Sequence, residues 1–206
     1  MMLEYDWNNR VYNTFVNNFL EYVTSQNLVA SSIYSTSALD HLTESIFNLT
    51  SDPNSLVFTI GNGGSASTAE HFSADLAQME IRTGHAVRSF CLNSQIALSS
   101  AFANDYDYFS SFEKQLSPFK TSNYILVAFS ASGNSINVLN AMRFSLAVNK
   151  EVFCFVGFDG GEAIKIDSIK SIFFPDPNRN YGIVENLHLA AAHYVIDSLI
   201  QKFKGN

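Results

Sequence analysis

The sequence predicts an α/β fold, a five-stranded and mostly parallel sheet held between two helical layers. Three observations carry that expectation. Five short apolar runs, Leu56–Ile60, Ser89–Leu92, Tyr124–Phe129, Val152–Val156 and Ser171–Phe174, are spaced along the chain from residue 56 onward. Each of the first four is followed by Gly, Ser or Asn and then by apolar residues at helical spacing, the pattern of βαβ units with strands buried on both faces. The third is length: 206 residues, 47% of them hydrophobic and 15% charged, suffice for one sizeable core and are short for two.

The elements follow in order. From Trp7 to Thr50, apolar residues recur at three- and four-residue steps (Val11, Phe15, Phe19, then Ile33, Leu39, Leu42, Ile46). This predicts two helices packed as a hairpin and separated near Gln26–Ser32. Asp52-Pro53-Asn54-Ser55 is a turn cluster. A helix is expected from near Ser67, directly after a glycine-rich loop, and a long one over Ile183–Phe203 closes the chain. No repeat, low-complexity tract or linker interrupts it, so one domain over residues 1–206 is expected, with helices over 1–52 and the α/β core over 53–206.

Charge narrows the function. Twelve Lys and Arg against nineteen Asp and Glu give a net charge of -7, which leaves no basic patch for a run of phosphates and argues against nucleic acid as a partner. Cys91 and Cys154 both lie inside strand-like apolar runs and read as buried free thiols in a reducing compartment. The first residues lack the cationic and apolar stretches of a signal peptide. The apolar runs fall far short of the roughly 20 residues of a membrane span. A cytoplasmic protein with no membrane partner is expected.

Two strand ends carry chemistry, because ligands of open parallel sheets bind at the carboxyl ends of strands. The first is Gly61-Asn62-Gly63-Gly64-Ser65, where glycines permit close backbone approach and Ser65 adds a hydroxyl at a positive helix end. Gly61, Gly63 and Ala66 also fit the dinucleotide fingerprint. That fingerprint wants an acidic residue at the end of the second strand, which here reads Leu92-Asn93-Ser94-Gln95. A tight turn with no ligand is the plain alternative. The second is Ser130-Ala131-Ser132-Gly133-Asn134-Ser135, three hydroxyls before a helix; a serine-rich turn is commonly just an N-cap, but three serines behind a buried strand make a neutral phosphate cradle. His71 and Asp75, four apart on the helix after the glycine loop, share one face and suit a divalent metal or an acid/base pair. Glu185, His188 and His193 are further candidates on the last helix.

With Gly61–Ser65, His71-Phe72, Ala103-Asn104-Asp105-Tyr106, Ser130–Asn137, Gly157–Gly161, and Glu185-Asn186-Leu187-His188 with His193, the chain resembles the sugar isomerase (SIS) family, and within it the phosphoheptose isomerases. The resemblance runs in order from residue 56 to the end. It implies zinc held at the positions of His71, Asp75, Glu185 and His193, with Asp75 and His193 as the acid/base pair. It implies substrate contacts at Asn62, Gly63, Gly64, Ser65, Asn104, Asp105, Ser130, Ala131, Ser132, Asn134, Ser135 and Glu185. The activity implied is isomerisation of sedoheptulose 7-phosphate to D-glycero-D-manno-heptose 7-phosphate, for heptose in surface polysaccharide. The alternatives are another phosphosugar, or a non-catalytic phosphosugar-binding or regulatory protein of the family.

The chain departs from the family pattern. Asp75 stands for Glu and Glu185 for Gln, which raises the carboxylates at the site to two and leaves open which is the base. Family arginines fall at Met79 and near Ile183, the polar Asp/Thr segment reads Asn93-Ser94-Gln95, and a Thr of the serine loop is Ala131. His188 reads best as a core histidine, or one that hydrogen-bonds behind the ligands. Finally, Glu185 and His193 are eight residues apart on one helix, about 12 Å along its axis. Side chains of that length, leaning toward the helix N-terminus, do not easily meet on one ion. A homotetramer with active sites shared between subunits, as the family forms, is the expectation.

Overall fold

A computed structural model describes residues 19–31 and 36–205; the helical readings over 1–18 and 32–35 lie outside the described residues. Helices α1 (Phe19–Ser31) and α2 (Thr36–Leu49) precede the sheet. Then follow β1 (Leu56–Gly61), α3 (Gly64–Ala77), α4 (Met79–Thr83), β2 (Ser89–Cys91), α5 (Ile96–Asp105), α6 (Ser111–Leu116) and β3 (Tyr124–Ser130). The chain ends with α7 (Ile136–Ala147), β4 (Glu151–Phe158), β5 (Lys170–Pro175) and α8 (Tyr181–Gly205). The five strands form one sheet in the order β2-β1-β3-β4-β5, every neighbouring pair parallel.

Strand periodicity divides the core in two. Val57, Ile125, Val127, Phe129, Phe153, Phe155, Ile172 and Phe174 face one layer, with Leu42 and Ile46 of α2, Phe72 and Leu76 of α3, and Leu187, Val195 and Leu199 of α8. The alternate residues, among them Phe58, Ile60, Leu126, Ala128, Val152, Cys154 and Val156, face the other layer with Phe112 and Leu116 of α6 and Val138 and Met142 of α7. Burying a side chain of this kind contributes about 1.5–3 kcal/mol as an upper bound. Thr59, the polar member of β1, is fully buried and donates its hydroxyl to the Ala69 carbonyl at 2.8 Å. Cys91 and Cys154 are buried free thiols, and burial pushes Cys154 up to about 12. No helix among the described residues is long and apolar enough to cross a membrane.

Three local readings change. The helix after the glycine loop starts at Gly64 and not near Ser67. α1 runs unbroken through Gln26 to Ser31, so the expected break does not begin at Gln26. The crossover after β4 holds only a 3-10 turn, Ala163–Lys165, in place of a helix. Left-handed residues at Phe158, Gly160, Gly161 and Ser168 punctuate that short segment, which leaves no room for regular helix.

The order 2-1-3-4-5 places the topological switch point between β1 and β3, where the chain leaves β1 for one side of the sheet and later returns to the other. Those two strands end in the glycine and serine loops.

Candidate active site

The two loops are locked together by amides. Asn62 Nδ2 donates to Asn137 Oδ1 at 2.9 Å, and Asn137 Nδ2 donates back to Asn62 Oδ1 at 3.0 Å. Tyr108 adds its hydroxyl to Asn62 Oδ1 at 2.9 Å. Asn93 grips the end of β1 through both of its amide atoms, accepting from the Gly61 N–H (3.1 Å) and donating to the Gly61 carbonyl (2.7 Å). Its carboxamide thus serves the backbone, which is what the departure at that strand end does here.

The serine loop carries three hydroxyls, on Ser130, Ser132 and Ser135. Ser130 Oγ is buried with no hydrogen-bond partner among the described residues, a costly state unless a ligand pairs it. Ser132 Oγ accepts from the Asn134 N–H at 3.2 Å, which leaves its proton to give. Ser135 is the N-cap of α7, yet its side chain makes no capping bond. Asn134 is turned away and accepts from the Glu162 N–H at 2.9 Å. Ser65 is buried at the start of α3, and Ala131 packs with Phe158 and Val184. Asn104 and Asp105 pair with each other at 2.9 Å at the exposed end of α5, with no bond from either to the two loops.

Side-chain chemistry concentrates where α3 packs beside α8. Gly64 meets Glu185 and His71 meets His193, so the two helices run parallel in register. His71 Nε2 lies 3.1 Å from His193 Nε2, with the rings edge to face. Asp75 Oδ2 lies 3.4 Å from His71 Nε2 and 3.9 Å from His193 Nε2. The histidines are half exposed and Asp75 is largely covered. The other carboxylate oxygen, Asp75 Oδ1, accepts from Arg82 Nη2 at 3.1 Å. Glu185 does not join this group. Its carboxylate rests on Gly64 at the head of α3, where an added Cβ would stand 2.3 Å from Oε2. The negative charge of Glu185 also helps burial hold the Tyr22 hydroxyl above its ordinary range, burial being the larger cause.

The model of the SIS domain family matches residues 21–154. The chain belongs to the SIS family. It is 32% identical over 143 residues to the phosphoheptose isomerases of Shewanella pealeana and Shewanella piezotolerans, an overlap of 69% of this chain and 73% of each relative. Its fold matches that of the Neisseria gonorrhoeae phosphoheptose isomerase (TM-score 0.77, 22% identity, 87% of this chain and 96% of that one). It also matches the Francisella tularensis one (0.79, 21%, 90% and 96%).

Among the described residues, His71, Asp75 and His193 are the one cluster whose donor atoms lie within metal-binding reach, all within 4.8 Å of one another. A point equidistant from three atoms at their separations lies about 2.0 Å from each, the length of a zinc–imidazole or zinc–carboxylate bond. Two neutral imidazoles and a carboxylate also suit that ion chemically. The donor set fits. Glu185, on regular helix two turns before His193, stands apart from it in its own chain.

His188 is fully buried, ringed by Phe129, Phe155 and Phe174, and neither ring nitrogen has a hydrogen-bond partner among the described residues. Burial pushes it down to about 4; the Val156 backbone opposes this in part, at a geometry short of a hydrogen bond. It is a neutral core residue. Sequence reasoning assigned no role to Arg82, Tyr108 or Asn137. Nothing in the local pattern marks the first two; the third lay inside the matched serine segment.

Proposed function

We propose that this chain is a ketose–aldose isomerase that converts sedoheptulose 7-phosphate to D-glycero-D-manno-heptose 7-phosphate, in the cytoplasm, as a step toward heptose of surface polysaccharides. The single observation behind the chemistry is the convergence of His71, Asp75 and His193 on α3 and α8, the helix that opens at the glycine loop and its parallel partner. From Gly64 to His71 is seven residues of helix, about 10 Å along the axis, a span that an extended seven-carbon sugar phosphate covers from phosphate to carbonyl.

In this reading Ser65, Ser130, Ser132 and Ser135, with the backbone amides of residues 62–64 and 131–134, hold the phosphate. That remote binding energy sets the register of the sugar over the catalytic side chains. Asp75 takes the proton from the carbon beside the carbonyl and returns it to the neighbouring carbon, and His193 moves the proton of the carbonyl oxygen. Asp75 is favoured over Glu185 as the base, because Glu185 lies two turns away on the glycine loop. His71, Asp75 and His193 would hold zinc, which when bound supplies Lewis-acid stabilisation of the oxyanion that develops during enolisation.

The half-exposed cluster needs cover from water. Ile81 on α4 and Ile96 on α5 are 90% and 77% exposed, and α5 buries no residue at all although it is largely apolar. These surfaces fit a second copy of the chain, in line with a homotetramer in which Glu185 serves the site of a neighbour. One assay separates enzyme from binding protein: sedoheptulose 7-phosphate is converted by the native chain, and not by Asp75→Asn or His193→Ala although both still bind it. Binding without turnover by the native chain would leave the non-catalytic reading standing. Mixing Asp75→Asn with Glu185→Ala chains should restore part of the activity; a fully active monomer by light scattering would rule out shared sites.

A further inference from the structure

Arg82 is placed where nothing in the motif pattern puts a cation. α3 ends at Ala77, Gln78 keeps right-handed angles (φ -85, ψ -2) between the two helices, and α4 continues the path, with the Arg82 N–H bonding the Gln78 carbonyl, while packing on α8. Along this path Met79 goes into the core, fully buried, and Arg82 comes out beside Asp75. One guanidinium nitrogen, Nη2, bonds both Asp75 Oδ1 and Gln78 Oε1, each at 3.1 Å. Gly84, left-handed at φ 80, closes α4 two residues after Arg82. The two oxygens of Asp75 are thereby given separate tasks: Oδ1 is tied to Arg82, and Oδ2 faces the imidazoles of His71 and His193.

We propose that Arg82 is the positioning residue of the site, holding Asp75 by one oxygen so that the other stays aimed at the two histidines. This role rests on the metal-dependent isomerase reading above. It goes beyond that reading by naming a residue that touches neither ion nor sugar and yet fixes the aim of the carboxylate that does. The sign of the effect separates aiming from charge. Removing a cation from beside a metal-binding carboxylate tightens zinc if charge alone matters; losing the aim weakens it.

The test titrates zinc into the full-length chain against a chromophoric chelator, for native protein, Arg82→Met and Arg82→Lys, alongside kcat and KM at saturating zinc. Native protein should bind about one zinc per chain. Arg82→Met should bind zinc about 10- to 100-fold more weakly. Its kcat should fall with little change in KM, because the phosphate loops are untouched. Arg82→Lys, which can still donate to Oδ1, should recover part of both. Unchanged or tighter zinc binding in a folded Arg82→Met, or a lower melting temperature as its sole defect, overturns the role of Arg82 alone. Native protein that takes up no zinc brings down the metal reading, and this role with it.

Discussion

Gly133→Ala is the sharpest perturbation of the proposed phosphate cradle. Gly133 has φ 65, a left-handed conformation in which an alanine costs about 1–2 kcal/mol. The new Cβ would also stand 2.0 Å from the Gly160 carbonyl oxygen. That oxygen is backbone and has no rotamer to escape into, so one loop must move by about 1 Å, and overpacking of this kind costs a further 1–3 kcal/mol. The loops cannot separate freely: the Ala163 N–H bonds the Gly133 carbonyl (3.0 Å), and the Gly157 N–H bonds the Ala131 carbonyl (3.1 Å). The expected loss is therefore about 2–5 kcal/mol in urea denaturation, with a displaced serine loop in whatever remains folded. A 1 Å misplacement of binding groups can cost about 100-fold, so kcat/KM for the phosphosugar should fall at least tenfold, mostly through KM. Gly84→Ala is the comparison: it too is left-handed, but no atom lies within 4 Å of the added Cβ. It should lose about 1–2 kcal/mol from backbone strain and leave KM where it was. A stable Gly133→Ala protein with native KM would refute the reasoning that the two loops are built against each other.

Three further outcomes follow from the same structure. Ser132→Ala should raise KM for the phosphosugar about tenfold or more, the worth of one hydrogen bond to a charged group, and a non-phosphorylated sugar should be a poor substrate of the native protein; equal turnover of both sugars would show that the loop holds something else. His188 takes up a proton far less readily folded, at about 4, than unfolded, at about 6.5, so the unfolded chain binds more protons in between. Its contribution is complete above pH 6.5 and is lost as the pH falls toward 4, by up to about 3 kcal/mol. Denaturation at pH 7 and pH 4 should show His188→Leu losing less than the native protein, and equal losses would contradict that assignment.

What could be read beforehand was what the chain states locally. β1, β3 and β4 announced themselves because strands buried on both faces are continuous apolar runs, and the glycine and serine loops because they follow those runs directly. His71 and Asp75 could be paired by their spacing on one helix face. The rest depends on how elements meet. That α3 and α8 run parallel in register, bringing His193 to His71 and Glu185 to Gly64, follows from packing on the sheet and not from either helix alone. The reciprocal amides of Asn62 and Asn137 join residues 75 apart. Arg82 lies seven residues past Asp75, across the turn at Gln78 between α3 and α4, and its long side chain spans that distance. The missing helix after β4 is the opposite case, where the apolar spacing suggested a helix and left-handed backbone at Gly160, Gly161 and Ser168 prevented one.

The central claim, a metal-dependent isomerase centre formed by His71, Asp75 and His193, is tested most directly by the rate at which sedoheptulose 7-phosphate is converted to the aldose before and after metal is stripped with a chelator, and again after one equivalent of zinc is returned. Native protein should convert the sugar, stripped protein should not, and returned zinc should restore the conversion. Conversion that continues at the native rate in fully stripped protein would contradict it.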